Sequence, residues 1–137
     1  MTKANGKARS ILLVEDFDDA RELYALCLRA AGYMVVEVST GEEAIRLARE
    51  RRTDLILMDM ALPGIDGWEA TAILKGDERT RDIPVIALTA HALRDERERM
   101  VEIGCDGFLA KPCLPPDLVQ EVGRILDARP AAPAGSG

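Results

Sequence analysis

Five polar residues stand where apolar runs of the chain end. Glu15 and Asp16 follow Ile11 to Val14, Asp59 closes Leu55 to Met58, Thr89 follows Val85 to Leu88, and Lys111 follows Phe108 to Ala110. If the runs are parallel strands of one sheet, all five residues fall at carboxyl ends. There an open parallel sheet binds ligands, at the point where strand order reverses; for order 2-1-3-4-5 this lies between strands one and three, so Glu15, Asp16 and Asp59 converge. Three neighbouring carboxylates repel and raise one another's pKa unless a cation offsets them, which implies a hard divalent ion. Magnesium takes oxygen ligands in an octahedron and keeps several waters, leaving places for one or two carboxylates, a main-chain carbonyl and a phosphoryl oxygen. A flavin or dinucleotide site fits poorly. The turn after the first run reads Glu-Asp-Phe-Asp-Asp, where a Gly-rich or Ser/Thr-rich cradle would be needed, and without a metal it repels phosphate.

The elements that must position these residues are legible in outline. Apolar runs at Ile11 to Val14, Met34 to Val38, Leu55 to Met58, Val85 to Leu88 and Phe108 to Ala110 start 21 to 30 residues apart, room for one crossover helix each time. Four of the five are continuously apolar, as strands covered on both faces are. The chain therefore reads as α/β, a (βα)5 doubly wound parallel sheet. Leu23, Leu26, Cys27 and Ala30 have helical spacing before Gly32, which predicts a first helix over about 19–31 with that inner face. Thr40 with Glu43 forms a capping box opening a second helix that buries Ala44, Leu47 and Ala48. A third helix follows Asp66-Gly67, which reads as a turn and helix start without chemistry, and offers Trp68, Ala72 and Ile73 to the core. The fourth has a sparse stripe, Leu93, Met100 and Ile103, with Asp95 and Arg99 paired on its wet side. It should be the least firmly held. Leu118, Val122, Ile125 and Leu126 mark the fifth helix after Pro115-Pro116.

Composition narrows the function classes. The 137 residues, 47% hydrophobic, suit one domain, over 10–128, with a flexible 1–9 and a disordered tail or linker over 129–137. A net charge of −6 gives no basic field for nucleic acid or an anionic membrane. No apolar segment approaches the roughly 20 residues of a membrane span or the about 7 to 15 of a signal peptide, so a cytoplasmic protein is expected. Cys27, Cys105 and Cys113 have no CxxC spacing and indicate neither a disulfide framework nor a zinc site.

The segments LLVED (12–16), LILMDMALPGIDG (55–67), VIALTA (85–90) and GFLAKP (107–112) resemble the response-regulator receiver family of two-component phosphorelays. The likeness extends over about 10–128. It implies the flavodoxin-like fold with order 2-1-3-4-5, which the family's chemotaxis member exemplifies. It further implies that Asp59 is the phosphoacceptor and that Mg2+ is held by the acidic pair Glu15 and Asp16, by Asp59 and by the Ala61 carbonyl. Thr89 and Lys111 would contact phosphoryl oxygens, Lys111-Pro112 would be cis, and Phe108 would be the aromatic switch partner of Thr89. The implied partners are a sensor histidine kinase or a histidine phosphotransfer protein, and a downstream protein reading helix 4, strand 5 and helix 5. Glu at the first acidic position and the apolar Phe17 depart mildly from the pattern.

Taken singly, the same residues have ordinary explanations. Glu15-Asp16 are first-turn acids suited to a helix dipole, Asp59 is a turn residue, Trp68 is packing, and His91 is an exposed rim residue and not a general base. The joint placement with Thr89 and Lys111 argues for chemistry. Rival readings fit these residues unequally, and the first lacks its general acid. A phosphatase of the haloacid dehalogenase type requires Asp-x-Asp, and Ala61 occupies its second position. A phosphorylation-independent interaction module with the same fold, or a receiver cut from a hybrid kinase, is compatible with the same residues. The reading is of a phosphoacceptor, not an enzyme with an external substrate to turn over.

Overall fold

The structure is a computed structural model and describes residues 8–128. Of the expected flexible segment 1–9, residues 1–7 lie outside the described residues, as does the whole of the expected tail 129–137. Strands β1 (Ser10–Val14), β2 (Met34–Val38), β3 (Leu55–Asp59), β4 (Val85–Thr89) and β5 (Gly107–Ala110) alternate with helices α1 (Asp18–Ala30), α2 (Gly41–Glu50), α3 (Gly67–Lys75), α4 (Arg94–Ile103) and α5 (Pro115–Ala128). All strand pairs are parallel, in the order β2-β1-β3-β4-β5. β1, β3 and β4 bury nearly every residue because each face of the sheet carries helices. Ile11, Leu13, Leu55, Leu57, Ile86 and Leu88 pack with α1 and α5. Leu12, Val14, Ile56, Met58, Val85 and Ala87 face α2, α3 and α4. Period-two alternation thus divides single apolar runs between two cores.

Helix boundaries follow local chemistry. The Thr40 hydroxyl accepts from the Glu43 N–H at 3.1 Å and an Asp66 carboxylate oxygen from the Glu69 N–H at 2.9 Å, each satisfying an orphan donor. α5 buries Leu118, Val122, Ile125 and Leu126 as expected. α1 does not follow its expected stripe. Tyr24, Ala25 and Leu28 face the sheet, while Leu23 and Leu26 are exposed and Cys27 is half-buried. In α2 the buried set is Gly41, Ala44, Ile45 and Ala48, with Leu47 half-buried. In α3 it is Gly67, Ala70, Thr71 and Leu74; Trp68 and Ile73 are half-buried and Ala72 is exposed. α4 buries Met100 alone, and Leu93 is an exposed N-cap residue with no side-chain hydrogen bond. Its i,i+4 pair is Arg94–Glu98 at 3.3 Å, whereas Arg99 lies over the Trp68 ring.

Acids also tie the amino ends of the strands. Asp54 accepts from the Ser10 N–H at 2.7 Å and Asp106 from the Val85 N–H at 2.9 Å. Lys75 Nζ donates to the Ile83 carbonyl at 2.7 Å and lies 3.4 Å from Asp106.

Candidate functional site

The opposite, carboxyl ends gather the five residues singled out by sequence. β1 and β3 are neighbours paired up to Val14 and Met58, so the residues that follow, Glu15 and Asp59, sit side by side. Glu15 is fully buried, Asp59 is 2% exposed, and Asp16 is open to solvent. One ligand oxygen from each of Glu15, Asp16 and Asp59 lies within 4.8 Å of the others. Lys111, just beyond β5, reaches between the two buried acids, with Nζ 3.0 Å from Glu15 Oε1 and 3.3 Å from Asp59 Oδ2. Its backbone is held by donation to the Thr89 carbonyl at 2.7 Å, and the Lys111-Pro112 bond is cis, as the resemblance implies.

Local hydrogen bonds orient each carboxylate. The Ala61 N–H donates to Asp59 Oδ1 at 3.0 Å, leaving Oδ2 toward Lys111. The Phe17 N–H donates to Glu15 Oε2 at 3.1 Å. Arg21 donates to the Glu15 carbonyl at 2.9 Å and to Asp18 at 2.7 Å, pinning the β1–α1 turn. Sequence reasoning passed over Arg21. Its i,i+3 spacing from Asp18 was the available signal.

Electrostatics follow from this crowding. Burial, reinforced by the adjacent Asp59 carboxylate, raises the Glu15 pKa, while Lys111 and the Phe17 N–H oppose the shift. Burial acts to lower the Lys111 pKa, but the Glu15 and Asp59 carboxylates outweigh it and hold the ammonium above its ordinary range. Two buried carboxylates share one ammonium, and a third carboxylate lies beside them. An all-oxygen set with surplus negative charge and one solvent-facing member fits a hard divalent cation that retains water, such as Mg2+.

Thr89 sits at the end of β4, 5% exposed, and its hydroxyl is engaged with its own loop. It donates to the His91 carbonyl at 3.0 Å and accepts from the His91 N–H at 3.1 Å. The His91 side chain is exposed, as its rim placement predicts. Phe108, on β5, is half-buried beside the α4 core, with the Arg97 guanidinium 5.8 Å from its ring centroid.

Asp66-Gly67 starts α3 as expected, and Gly67 also packs against the strand end that carries Asp59. A Cβ there would lie 2.3 Å from the Asp59 carbonyl oxygen and 2.5 Å from Met60 Cα, and the Gly67 N–H donates to the Met60 carbonyl at 3.2 Å. The first turn of α3 therefore rests on the backbone of Asp59. Among the described residues no helix is long and apolar enough to cross a membrane.

Comparison with known proteins agrees with this arrangement. Residues 11–123 match the model of the response regulator receiver domain. Over 118 residues the chain is 40% identical to the polar-differentiation response regulator DivK of Brucella anthropi, covering 86% of this chain and 96% of that protein. The receiver domain of a sensor histidine kinase from Pseudomonas aeruginosa, solved with magnesium coordinated in its active site cleft, is 39% identical with a TM-score of 0.80. That alignment covers 88% of this chain and 99% of the other. The chemotaxis protein CheY4 of Vibrio cholerae superposes with a TM-score of 0.83 at 27% identity, over 88% of this chain and all of that one.

Proposed function

The chain belongs to the response regulator receiver family of two-component signalling, and from that premise we propose that in the cytoplasm Asp59 accepts a phosphoryl group from a phosphohistidine. The donor is a sensor histidine kinase or a histidine phosphotransfer protein. The observation that carries this reading is the position of Lys111 between two buried carboxylates, with the exposed Asp16 beside them. An ammonium there neutralises charge arriving at Asp59.

Asp59 Oδ2 attacks the phosphorus in line, the P–N bond to imidazole breaks, and the imidazole leaves as a proton joins its ring nitrogen. The Ala61 N–H fixes the rotamer that presents Oδ2. Lys111 transfers its attraction from the carboxylates to an equatorial phosphoryl oxygen. Thr89 exchanges its bonds to the His91 backbone for one to another phosphoryl oxygen. Glu15, Asp16, Asp59 and the Ala61 carbonyl would hold Mg2+, which when bound would supply positive charge to offset carboxylate and phosphoryl repulsion. Phe108 then turns into the space Thr89 vacates, altering the surface of α4, β5 and α5 that a downstream protein reads.

Asp59→Asn tests the assignment. The amide is a poor nucleophile, so the variant should take up no label from acetyl phosphate or a phosphohistidine donor under conditions that label the wild type. Equal labelling would place the acceptor elsewhere.

A further inference from the structure

α4 is held to the body of the protein by little apolar burial. Met100 is its one buried side chain, its N-cap residue Leu93 offers no side-chain hydrogen bond, and its last turn has no basic residue to oppose the helix dipole. Two other contacts moor it. The Arg97 guanidinium lies 5.8 Å from the centroid of Phe108 on β5, and the Arg99 guanidinium lies 4.3 Å from that of Trp68 on α3. Residues two apart on a helix project about 200° from each other, so these arginines grip opposite flanks. Both rings pack against the same core cluster as Met100 and Ile103.

We propose that Arg97 and Arg99 are positioning residues that together latch α4 in the resting protein, and that the latch opens when Phe108 leaves Arg97 for the interior. This rests on the reading of Asp59 as phosphoacceptor and Phe108 as switch. A contact made in only one of two states favours that state by the factor it contributes. The latch thus lowers the population competent to hold a phosphoryl group, and its removal raises apparent affinity for such a group. A cation–π contact made by an exposed guanidinium, as both of these are, is worth about a two- to fivefold factor in an equilibrium.

The test titrates beryllofluoride, with Mg2+ present, into the full chain and reads amide shifts of β5. Arg97→Ala and Arg99→Ala should each bind about two- to fivefold more tightly than wild type, with Arg97→Lys between Arg97→Ala and wild type. Arg94→Ala is the control for charge: its side chain is 83% exposed and pairs with Glu98, so its affinity should not rise. Loss of generic structure would lower the melting temperature without tightening binding. A gain missing from either alanine variant, or matched by Arg94→Ala, overturns the latch while leaving the phosphoacceptor reading intact. A wild type that neither binds beryllofluoride nor takes label from acetyl phosphate overturns both.

Discussion

Lys111 Nζ stands 3.0 Å from Glu15 and 3.3 Å from Asp59, bridging residues that lie 96 and 52 positions away in the chain. The bridge meets two acids only, and Asp16 is left with solvent beside it. The first prediction follows from this charge balance, which suits a second cation. Magnesium at ten times its Kd should stabilise the protein by about 1.4 kcal/mol. For a domain of this size that raises Tm by roughly 3–6 °C. Asp16→Ala should abolish the magnesium-dependent part of the shift in thermal melts and the labelling that depends on it. A variant with the full shift would remove Asp16 from the ligand set.

A second prediction uses the close approach of Gly67 to Asp59. The Cβ of Gly67→Ala meets backbone, which cannot swing aside as a side chain would. Overpacking of this kind costs about 1–3 kcal/mol, measurable by urea unfolding. The strand end carrying Asp59 must also move, and displacements below 1 Å slow a positioned reaction by up to about a hundredfold. Labelling by acetyl phosphate should accordingly fall by at least about tenfold in a variant that remains folded.

Lifetime of the phosphorylated state gives a third. Ala61 has no polar side chain to orient an attacking water, and the exposed imidazole of His91 stands at the rim beyond Thr89. His91→Ala should hasten dephosphorylation in single-turnover assays at constant pH by clearing the approach to phosphorus. Slower decay in the variant would instead make His91 a general base.

The fourth concerns pH. Burial, aided by the Asp106 carboxylate, pushes the Cys105 thiol up to about 11. The fold prefers the neutral thiol, so its contribution to stability is complete below the unfolded value near 9 and is lost as pH rises through about 11. Iodoacetamide, which attacks the thiolate, should modify Cys105 about a hundredfold more slowly at pH 8 than an ordinary thiol, with the rate climbing steadily toward pH 11. Peptide mass mapping of the alkylated protein reads this directly.

Much of the site was legible because its residues are fixed by strand ends, and strands announce themselves as apolar runs. Asp59, Thr89 and Lys111 needed only parallel pairing to converge. Helix faces were less legible. In α1, Leu23, Leu26, Cys27 and Ala30 repeat at helical spacing, but Tyr24, Ala25 and Leu28 form a second apolar face of the same helix. Periodicity cannot choose between two faces; packing does, and there the Tyr24 hydroxyl meets the Cys113 thiol across 89 residues of chain. α4 hid its contacts for another reason. Arg99 read as the solvated partner of Asp95, and Arg97 carried no signal at all, because a guanidinium over a ring leaves no apolar spacing in the sequence. Gly67 was visible as a helix start, but the strand backbone that excludes a Cβ there comes from outside its own segment.

The acids at the amino ends of the strands have a practical consequence. Asp54 and Asp106 secure β1 and β4 from the pole opposite Glu15 and Asp59, with Lys75 fastened beside Asp106. Adhesive and reactive carboxylates thus occupy separate poles of one sheet. A fluorophore, surface tether or fused protein attached to the exposed Arg52, whose pair with Asp54 is a loose 3.7 Å contact, leaves the pole that carries Glu15 and Asp59 free. An immobilised receiver held that way presents its chemistry outward, in a known orientation, to whatever flows past it.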